Sequence, residues 1–416
     1  MRNHRTLLSS LAAFAALSLA AVGCGSGASH VATTATTATT ATPATTASTA
    51  TPATAATAAP RSAALWAPPG TASLGASSAA ALQAALDAWV AQGKLTGITA
   101  AIVTPAGVWS GAAGVDGAGT RLKPESAMWI ASVTKTFTAA EVMLLSSRGL
   151  VDLDKPLTDY IDVPFDTKGA TVRQVLAMRS GFPNTTIQSD HQNLGADLAR
   201  EWTVAEGLPK DAAGSSPGGT PEYNSVNYRL LGELIAKVTG RSLAQAIRSD
   251  LLDPAGLHRT WVQTAETPTP PLTVGIDPPG AKLVDHAGLY LPSRSVASGT
   301  SAAGSMASDA ADVARWGYLL YGGQVIDTTL VKQMEADPQP EPNKGPYALG
   351  TMVSTDDHGV TMVGHSGGGT DWPYSAVLQV WTGSTPIAIA VLTPQPADFG
   401  NDIYDGFMHL HALVTG

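Results

Sequence analysis

Residues 130–137 read Ile130-Ala131-Ser132-Val133-Thr134-Lys135-Thr136-Phe137, and they open an apolar run that continues to Arg148 and is followed by Gly149. Apolar residues at helical spacing with a glycine directly after them predict a helix over 134–148. A serine at the start of such a helix and a lysine three residues later lie on one face, within hydrogen-bond reach. Ser132 and Lys135 are therefore the first candidates for chemistry in the chain.

The pairing of Ser132 with Lys135 matters because a serine hydroxyl is by itself a poor nucleophile. A nearby amine that burial keeps neutral can take the serine proton, and the N-terminal end of a helix favours the developing negative charge. No other lysine in the sequence has a serine three residues before it. We interpret Ser132 as the candidate nucleophile and Lys135 as its candidate base.

The apolar periodicity around this motif predicts a mixed α/β fold of the α+β kind. Helices are expected at both ends of the domain, over 77–92 and 403–414. Residues 151–286 carry helical segments and loops rich in proline and glycine, which indicates an inserted helical lobe. We expect an antiparallel sheet covered by the first and last helices, with the site between sheet and lobe. The predicted strands are 98–103, 108–110, 349–354, 360–363, 376–381 and 386–392.

Further motifs, in order, make the sequence resemble the serine β-lactamase and penicillin-binding-protein superfamily. After the Ser132 motif come Gly149-Leu150-Val151-Asp152-Leu153-Asp154, then Thr171-Val172-Arg173-Gln174-Val175-Leu176 and Arg179-Ser180-Gly181. Within that superfamily the chain is most similar to class C β-lactamases, secreted D-Ala-D-Ala carboxypeptidases and related carboxylesterases. The resemblance covers roughly residues 73–416 and implies the sheet-and-lobe fold expected above.

The second element of the family, Tyr-x-Asn, is matched in part by Tyr223-Asn224-Ser225 before a predicted helix over 227–238. The resemblance implies that Tyr223 works with Lys135 to move protons onto the leaving group. A phenol pKa depressed by the neighbouring ammonium would make this possible. The third position holds Ser225 instead of asparagine, and Asn224 comes one place early. Asn224 and Ser225 are the predicted substrate contacts of this loop.

The third element of the family is matched by His365-Ser366-Gly367, which is followed by Gly368. The resemblance implies that His365 is a catalytic-site cation that holds a substrate carboxylate or assists proton transfer. Ser366 and Gly367 are predicted to contact the substrate. The backbone amides of Ser132 and Gly368 are predicted to form the oxyanion hole.

The stretch from Gly364 to Gly368 also spells Gly-x-Ser-x-Gly, the nucleophile elbow of α/β-hydrolases, with Ser366 as nucleophile. That hypothesis requires a helix directly after the serine, and then an acid and a histidine. The residues after Gly368 carry a strand pattern instead, and His409 and His411 on the last helix would be the remaining histidines. Ser366 is therefore the alternative to Ser132.

The beginning of the chain is typical of an export signal. Basic residues precede an apolar run over 7–22 that is too short to span a bilayer, and the single cysteine, Cys24, follows. This placement resembles a bacterial lipobox, which implies a signal peptide over 1–23, lipidation of Cys24 and membrane anchoring of an exported protein. Residues 24–72 are rich in Thr, Ala and Pro and predict a disordered tether before a domain over 73–416.

The composition of the chain limits the classes of partner and cofactor that we expect. The formal net charge of -9 without basic runs argues against nucleic acid as a partner. No paired histidine or cysteine spacing of the zinc type occurs, so neither a metal nor another cofactor is expected. We predict a serine acyl-hydrolase that forms an acyl-enzyme on Ser132, with a D-Ala-D-Ala peptide, a β-lactam or a small ester as substrate. The alternative is a cell-envelope binding protein of the same fold whose hydrolytic site has decayed.

Overall fold

Antiparallel sheets form the framework of the protein, which a computed structural model describes over residues 62–209, 214–342 and 344–416. In these residues the larger sheet has the strand order β2-β1-β11-β10-β9-β8-β7-β6 and the smaller one β3-β5-β4, where the numbers follow the chain. The strands are β1 Gly97–Val103, β2 Val108–Gly114, β3 Met128–Trp129, β4 Thr260–Val262, β5 Met306–Ser308, β6 Gln339–Glu341, β7 Gly345–Tyr347, β8 Met352–Thr355, β9 Thr361–Gly368, β10 Ser375–Trp381 and β11 Ile387–Thr393.

Helices cover the larger sheet and build the lobe beside it. They are α1 Ala76–Ala91, α2 Thr134–Ser147, α3 Val172–Leu176, α4 Ile187–Gly195, α5 Ser225–Thr239, α6 Leu243–Ile247, α7 Asp253–Ala255, α8 Arg294–Thr300, α9 Ala310–Tyr321, α10 Thr328–Glu335 and α11 Tyr404–Thr415. Helix α5 ends where predicted because Gly240 takes the left-handed conformation, with φ of 65°, that glycine adopts without strain.

The central strands β1 and β11 are buried on both faces. Ile98, Ala100 and Ile102 of β1 pack into the core that contains α1 and α11, whereas Ala101 and Val103 pack into the core that contains α9. Successive side chains of a strand point to opposite faces, so one strand supplies both cores. The predicted mixed fold, an antiparallel sheet flanked by the first and last helices, is confirmed.

The helical lobe contains α3 to α7, within the predicted range of 151–286. The prediction of helices and loops alone was incomplete there, because β4 pairs with β5, and β5 with β3. Phe137 of α2 and Leu231 of α5 lie fully buried in one core, which fixes the lobe against the helix that carries Lys135.

Contacts with the domain begin before residue 73, where the sequence placed its start. The Leu65 amide donates a hydrogen bond of 2.9 Å to the Gly322 carbonyl, and the Trp66 ring packs 5.3 Å from the ring of Tyr318. The predicted start of the domain at residue 73 therefore lies too far along the chain, because Leu65 and Trp66 already contact the domain. Cys24 and the proposed signal peptide lie outside the described residues. Within those residues, no helix combines the length and apolar character needed to cross a membrane.

Helices α1 and α11 approach closely at Gly406, where an added β-carbon would come within 2.3 Å of the Trp89 ring. We expect Gly406→Val to lower the free energy of unfolding by about 1–3 kcal/mol, because the extra atoms force the two helices apart. Urea unfolding followed by circular dichroism measures the change.

Gly219→Val is the matched control, since a β-carbon at Gly219 meets no atom within 4 Å. We expect it to change the free energy of unfolding by no more than about 0.5 kcal/mol. Equal losses in the two variants would contradict the packing argument.

Candidate active site

Ser132 lies where strand β3 gives way to helix α2. The Ile130 amide donates to the Met306 carbonyl at 3.0 Å, and a short 3-10 helix over Ala131–Val133 then leads into α2. Ala131 has a φ of 46°, which residues other than glycine rarely adopt and which often accompanies functional sites. The turn presents the Ser132 hydroxyl at the N-terminal end of a helix, where backbone amides lack intrahelical acceptors.

Lys135 contacts Ser132 directly. Its Nζ donates hydrogen bonds to Ser132 Oγ at 3.0 Å and to the Ala303 carbonyl at 2.7 Å. The side chain has no exposed surface. Burial lowers the pKa of Lys135 well below its usual range, and the charges of Lys344 and Arg229 lower it further. A neutral amine beside the hydroxyl can act as a general base.

Tyr223 completes the group around the serine. The centroid of its ring lies 4.9 Å from Lys135 Nζ. Burial raises the pKa of the Tyr223 phenol, and the neighbouring Ser132 hydroxyl offsets only part of that rise. The expected depression of this pKa was wrong, because desolvation of the phenolate dominates. The phenol oxygen is buried and makes no hydrogen bond of good geometry among the described residues, and the Ser132 hydroxyl is the polar group that interacts with it.

Strand β9 approaches the nucleophile from the other side. A β-carbon at Gly367 would come within 2.3 Å of the Ile130 carbonyl oxygen and 2.9 Å of the Ser132 nitrogen, so only glycine permits this approach. Gly367 therefore sets the spacing between β9 and Ser132. Gly368 and Ser132 both line the cleft, as the predicted oxyanion hole requires.

His365 is placed differently from the expectation. Its side chain is 2% exposed and does not line the cleft. Its Nδ1 donates to the Ser366 carbonyl at 2.5 Å, which leaves Nε2 to accept from the Tyr347 hydroxyl at 3.1 Å. Burial lowers the pKa of His365 to about 3, with smaller contributions from Lys135 and Lys344. The predicted role of His365 as a substrate-holding cation was wrong, because the imidazole is buried and neutral.

The Ser366 alternative is also contradicted. Ser366 pairs with Val377 in the middle of a regular strand that continues to Gly368, and its Oγ lies 3.9 Å from the sulfur of Met352. A nucleophile elbow requires a sharp turn from strand to helix, which is missing here. Neither Ser366 nor Gly367 lines the cleft, so its geometry does not support the predicted substrate contacts of these two residues.

Asn224 and Ser225 take separate roles at the start of α5. Asn224 is buried, its Oδ1 accepts from the Val226 amide at 2.8 Å, and its Nδ2 donates to the Phe182 carbonyl at 2.8 Å. Asn224 is thus the N-cap of α5 and is not available to the substrate. Ser225, directly after it, lines the cleft beside Tyr223.

The cleft in front of Ser132 has a volume of about 410 Å³ and lies between β9 and the lobe. Trp129 and Trp372 form an aromatic wall, with ring centroids 5.4 Å apart. Trp372 follows Gly368 by only four residues, and that proximity to the third motif was a signal that the sequence reading missed. Lys344, in the β6–β7 hairpin, had no such signal. The lining residues that the sequence reading missed include Asn184, Thr185, Asp190, Lys344, Asp371 and Trp372.

The buried state of His365 predicts acid sensitivity. Unfolding returns its pKa from about 3 to about 6.5, so between these values the unfolded chain binds a proton that the folded protein excludes. The folded state should lose about 1.4 kcal/mol for each pH unit of acidification through that window. We expect His365→Gln to lose less than the native protein between pH 7 and pH 5, measured by urea unfolding.

The exposed His358, in the loop before β9, provides the control variant His358→Gln. This control should keep the pH dependence of the native protein. If His365→Gln kept it as well, His365 would be protonated in the folded protein and our assignment would fail.

Comparison with known proteins gives these residues a context. A family model described as Beta-lactamase matches residues 79–410. Protein flp of Staphylococcus aureus (strain MW2) is 26% identical over 255 residues, which are 59% of this chain and 49% of that protein. The chain therefore spans about half the length of that relative. Penicillin-binding protein 4* of Bacillus subtilis (strain 168) is 28% identical over 147 residues, 34% of this chain and 32% of that protein.

Solved structures match over more of the chain. D-amino acid amidase from Ochrobactrum anthropi SV3 superposes with a TM-score of 0.68 at 24% identity, over 82% of this chain and 99% of that one. A D-stereospecific amidohydrolase from Streptomyces sp. gives 0.64 at 26% identity, over 80% of this chain and 99% of that one. The first likeness, at this low identity, concerns the fold alone. Because the family model spans residues 79–410, the chain belongs to the beta-lactamase family, whose fold is that of serine hydrolases.

Proposed function

We propose that the protein is a serine acyl-hydrolase that forms an acyl-enzyme on Ser132. The observation that carries this proposal is the hydrogen bond of 3.0 Å between Ser132 Oγ and Lys135 Nζ, an amine with a strongly lowered pKa. Neutral Lys135 takes the hydroxyl proton as Oγ attacks a substrate carbonyl. The amides of Ser132 and Gly368 stabilise the negative charge on the carbonyl oxygen.

Collapse of this intermediate breaks the bond to the leaving group, which needs a proton. Tyr223 lies against Lys135, and its protonated phenol is directed at the Ser132 hydroxyl, beside the reacting atoms. In the proposed mechanism the phenol gives its proton to the leaving group and regains one from Lys135. Water then attacks the acyl-enzyme, the same groups move protons in reverse, and the acid product leaves.

The proposed substrates are acyl compounds small enough for a cleft of about 410 Å³. A D-Ala-D-Ala peptide, a β-lactam and a small ester each present a carbonyl to Ser132. The Streptomyces relative is named a D-stereospecific amidohydrolase, which favours including an amide of D configuration among the proposed substrates. Fold alone does not choose among these substrates.

A decayed binding protein of this fold remains the competing hypothesis. In the sequence this hypothesis was supported by Ser225, which stands where the family has asparagine. In the structure Asn224 caps α5, so its side-chain amide does not line the cleft either. The intact contact between Ser132 and Lys135 favours the enzyme.

Mass spectrometry after exposure to a fluorophosphonate tests the proposed function. We expect an adduct on Ser132 in the native protein and none in Ser132→Ala. Lys135→Arg should lower the labelling rate at least about a hundredfold, because a guanidinium does not deprotonate. Ser366→Ala is the matched control and should label like the native protein. No adduct on Ser132 would favour the binding-protein hypothesis.

We also propose that the protein is exported and anchored to the membrane through a lipidated Cys24. The support is the sequence alone, in which Gly23 and then Cys24 follow the apolar run over 7–22. Expression in a bacterium with radiolabelled palmitate should label the native protein and leave Cys24→Ser unlabelled. Equal labelling of both proteins would contradict this proposal.

A further inference from the structure

We propose that Lys344 binds a carboxylate of the acyl donor, and so sets the substrate specificity of the active-site cleft. This inference rests on the proposed function, because it concerns the substrate of the same cleft. The sequence predicted that His365 would hold the substrate carboxylate, and the inference assigns this role to Lys344 in the β6–β7 hairpin instead.

The position of Lys344 supports this assignment. The residue directly precedes β7 and lines the cleft together with Ser132, Tyr223 and Gly368. Its Nζ lies 5.5 Å from the centroid of the Tyr223 ring, the ring that also faces Lys135. A group bound to Lys344 is therefore held beside the side chains that act on the carbonyl.

The charge on Lys344 distinguishes it from the other residues of the cleft. Among the described residues that line the cleft, Lys344 is the only lysine or arginine. His365, the expected cation, is buried and neutral, and Lys135 is buried beneath the serine. A carboxylate that enters the cleft thus meets one lining ammonium.

The surroundings of Lys344 make its charge effective. Burial removes most of its water and lowers its pKa, while Glu341 and Asp371 raise it. An ammonium with little water interacts more strongly with an entering carboxylate than an exposed one does. Asp190 lies on the α4 wall of the same cleft and would repel a carboxylate there. Asp371 also lines the cleft and interacts with Lys344, so Lys344 is the only lining group among the described residues that attracts a substrate carboxylate.

Lys344 also acts on Lys135, whose pKa it lowers, so removal of its charge should alter the reaction of every donor to some extent. The effect on carboxylate binding must therefore be measured against a neutral donor on the same protein. Two matched pairs of donors allow this comparison. The first is a D-Ala-D-Ala peptide with a free C-terminal carboxylate and the same peptide as its carboxamide. The second is 3-acetoxybenzoate and 3-acetoxybenzamide.

The experiment compares kcat/KM for the two members of each pair in the native protein and in Lys344→Met, Lys344→Arg and Lys332→Met. We expect Lys344→Met to reduce the ratio of carboxylate to neutral donor about ten- to a hundredfold. Lys344→Arg should restore most of the ratio. Lys332→Met, an exposed lysine on α10, should leave the ratio unchanged.

Two outcomes would overturn the inference. A native protein that prefers the carboxylate in neither pair has no carboxylate site, although fluorophosphonate labelling of Ser132 would still uphold the hydrolase. An equal fall for both members in Lys344→Met would show that Lys344 acts only through Tyr223 and Lys135. Failure of Ser132 labelling as well would instead mean that the proposed function is wrong.

Discussion

The buried amine of Lys135 is the constraint on which the rest of the site depends. An ammonium without exposed surface loses its hydration, and here that loss outweighs the available interactions. The Ala303 carbonyl accepts one hydrogen bond, and the rings of Tyr223 and Tyr228 face the nitrogen at 4.9 and 5.7 Å. This dry setting exists because the lobe packs against α2. The fold therefore controls the chemistry by controlling the access of water to one nitrogen.

The same exclusion of water shifts the pKa values of two neighbouring groups in opposite directions. It raises the pKa of the Tyr223 phenol and lowers the pKa of His365, so each group is held in its neutral form. Neutral Lys135 and Tyr223 suit a reaction in which a negative charge develops on the carbonyl oxygen while Lys135 transiently holds the serine proton. The cleft-lining charges, such as that of Lys344, are then free to act on the substrate.

Local spacing is what the sequence predicted well. The spacing of three residues from Ser132 to Lys135 covers nearly one helical turn, and the alternation in β1 and the glycine after α5 are equally local. His365 was misassigned because its environment depends on Tyr347, which comes from a neighbouring hairpin. Asn224 was misassigned because helix capping and substrate contact favour the same residue types. Lys344 could not be recognised, since only the folded hairpin brings it to Ser132.

The larger sheet separates two hydrophobic cores, and only one of them adjoins the active site. Side chains of β1 that face α1 and α11 belong to one core, while those that face α9 belong to the core shared with α2 and the lobe. Changes in the outer layer can therefore accumulate without moving Ser132, and changes in the lobe loops can reshape the cleft without weakening that layer. Such a division allows the shape of the cleft and the stability of the outer layer to be altered separately, by substitutions on opposite faces of the sheet.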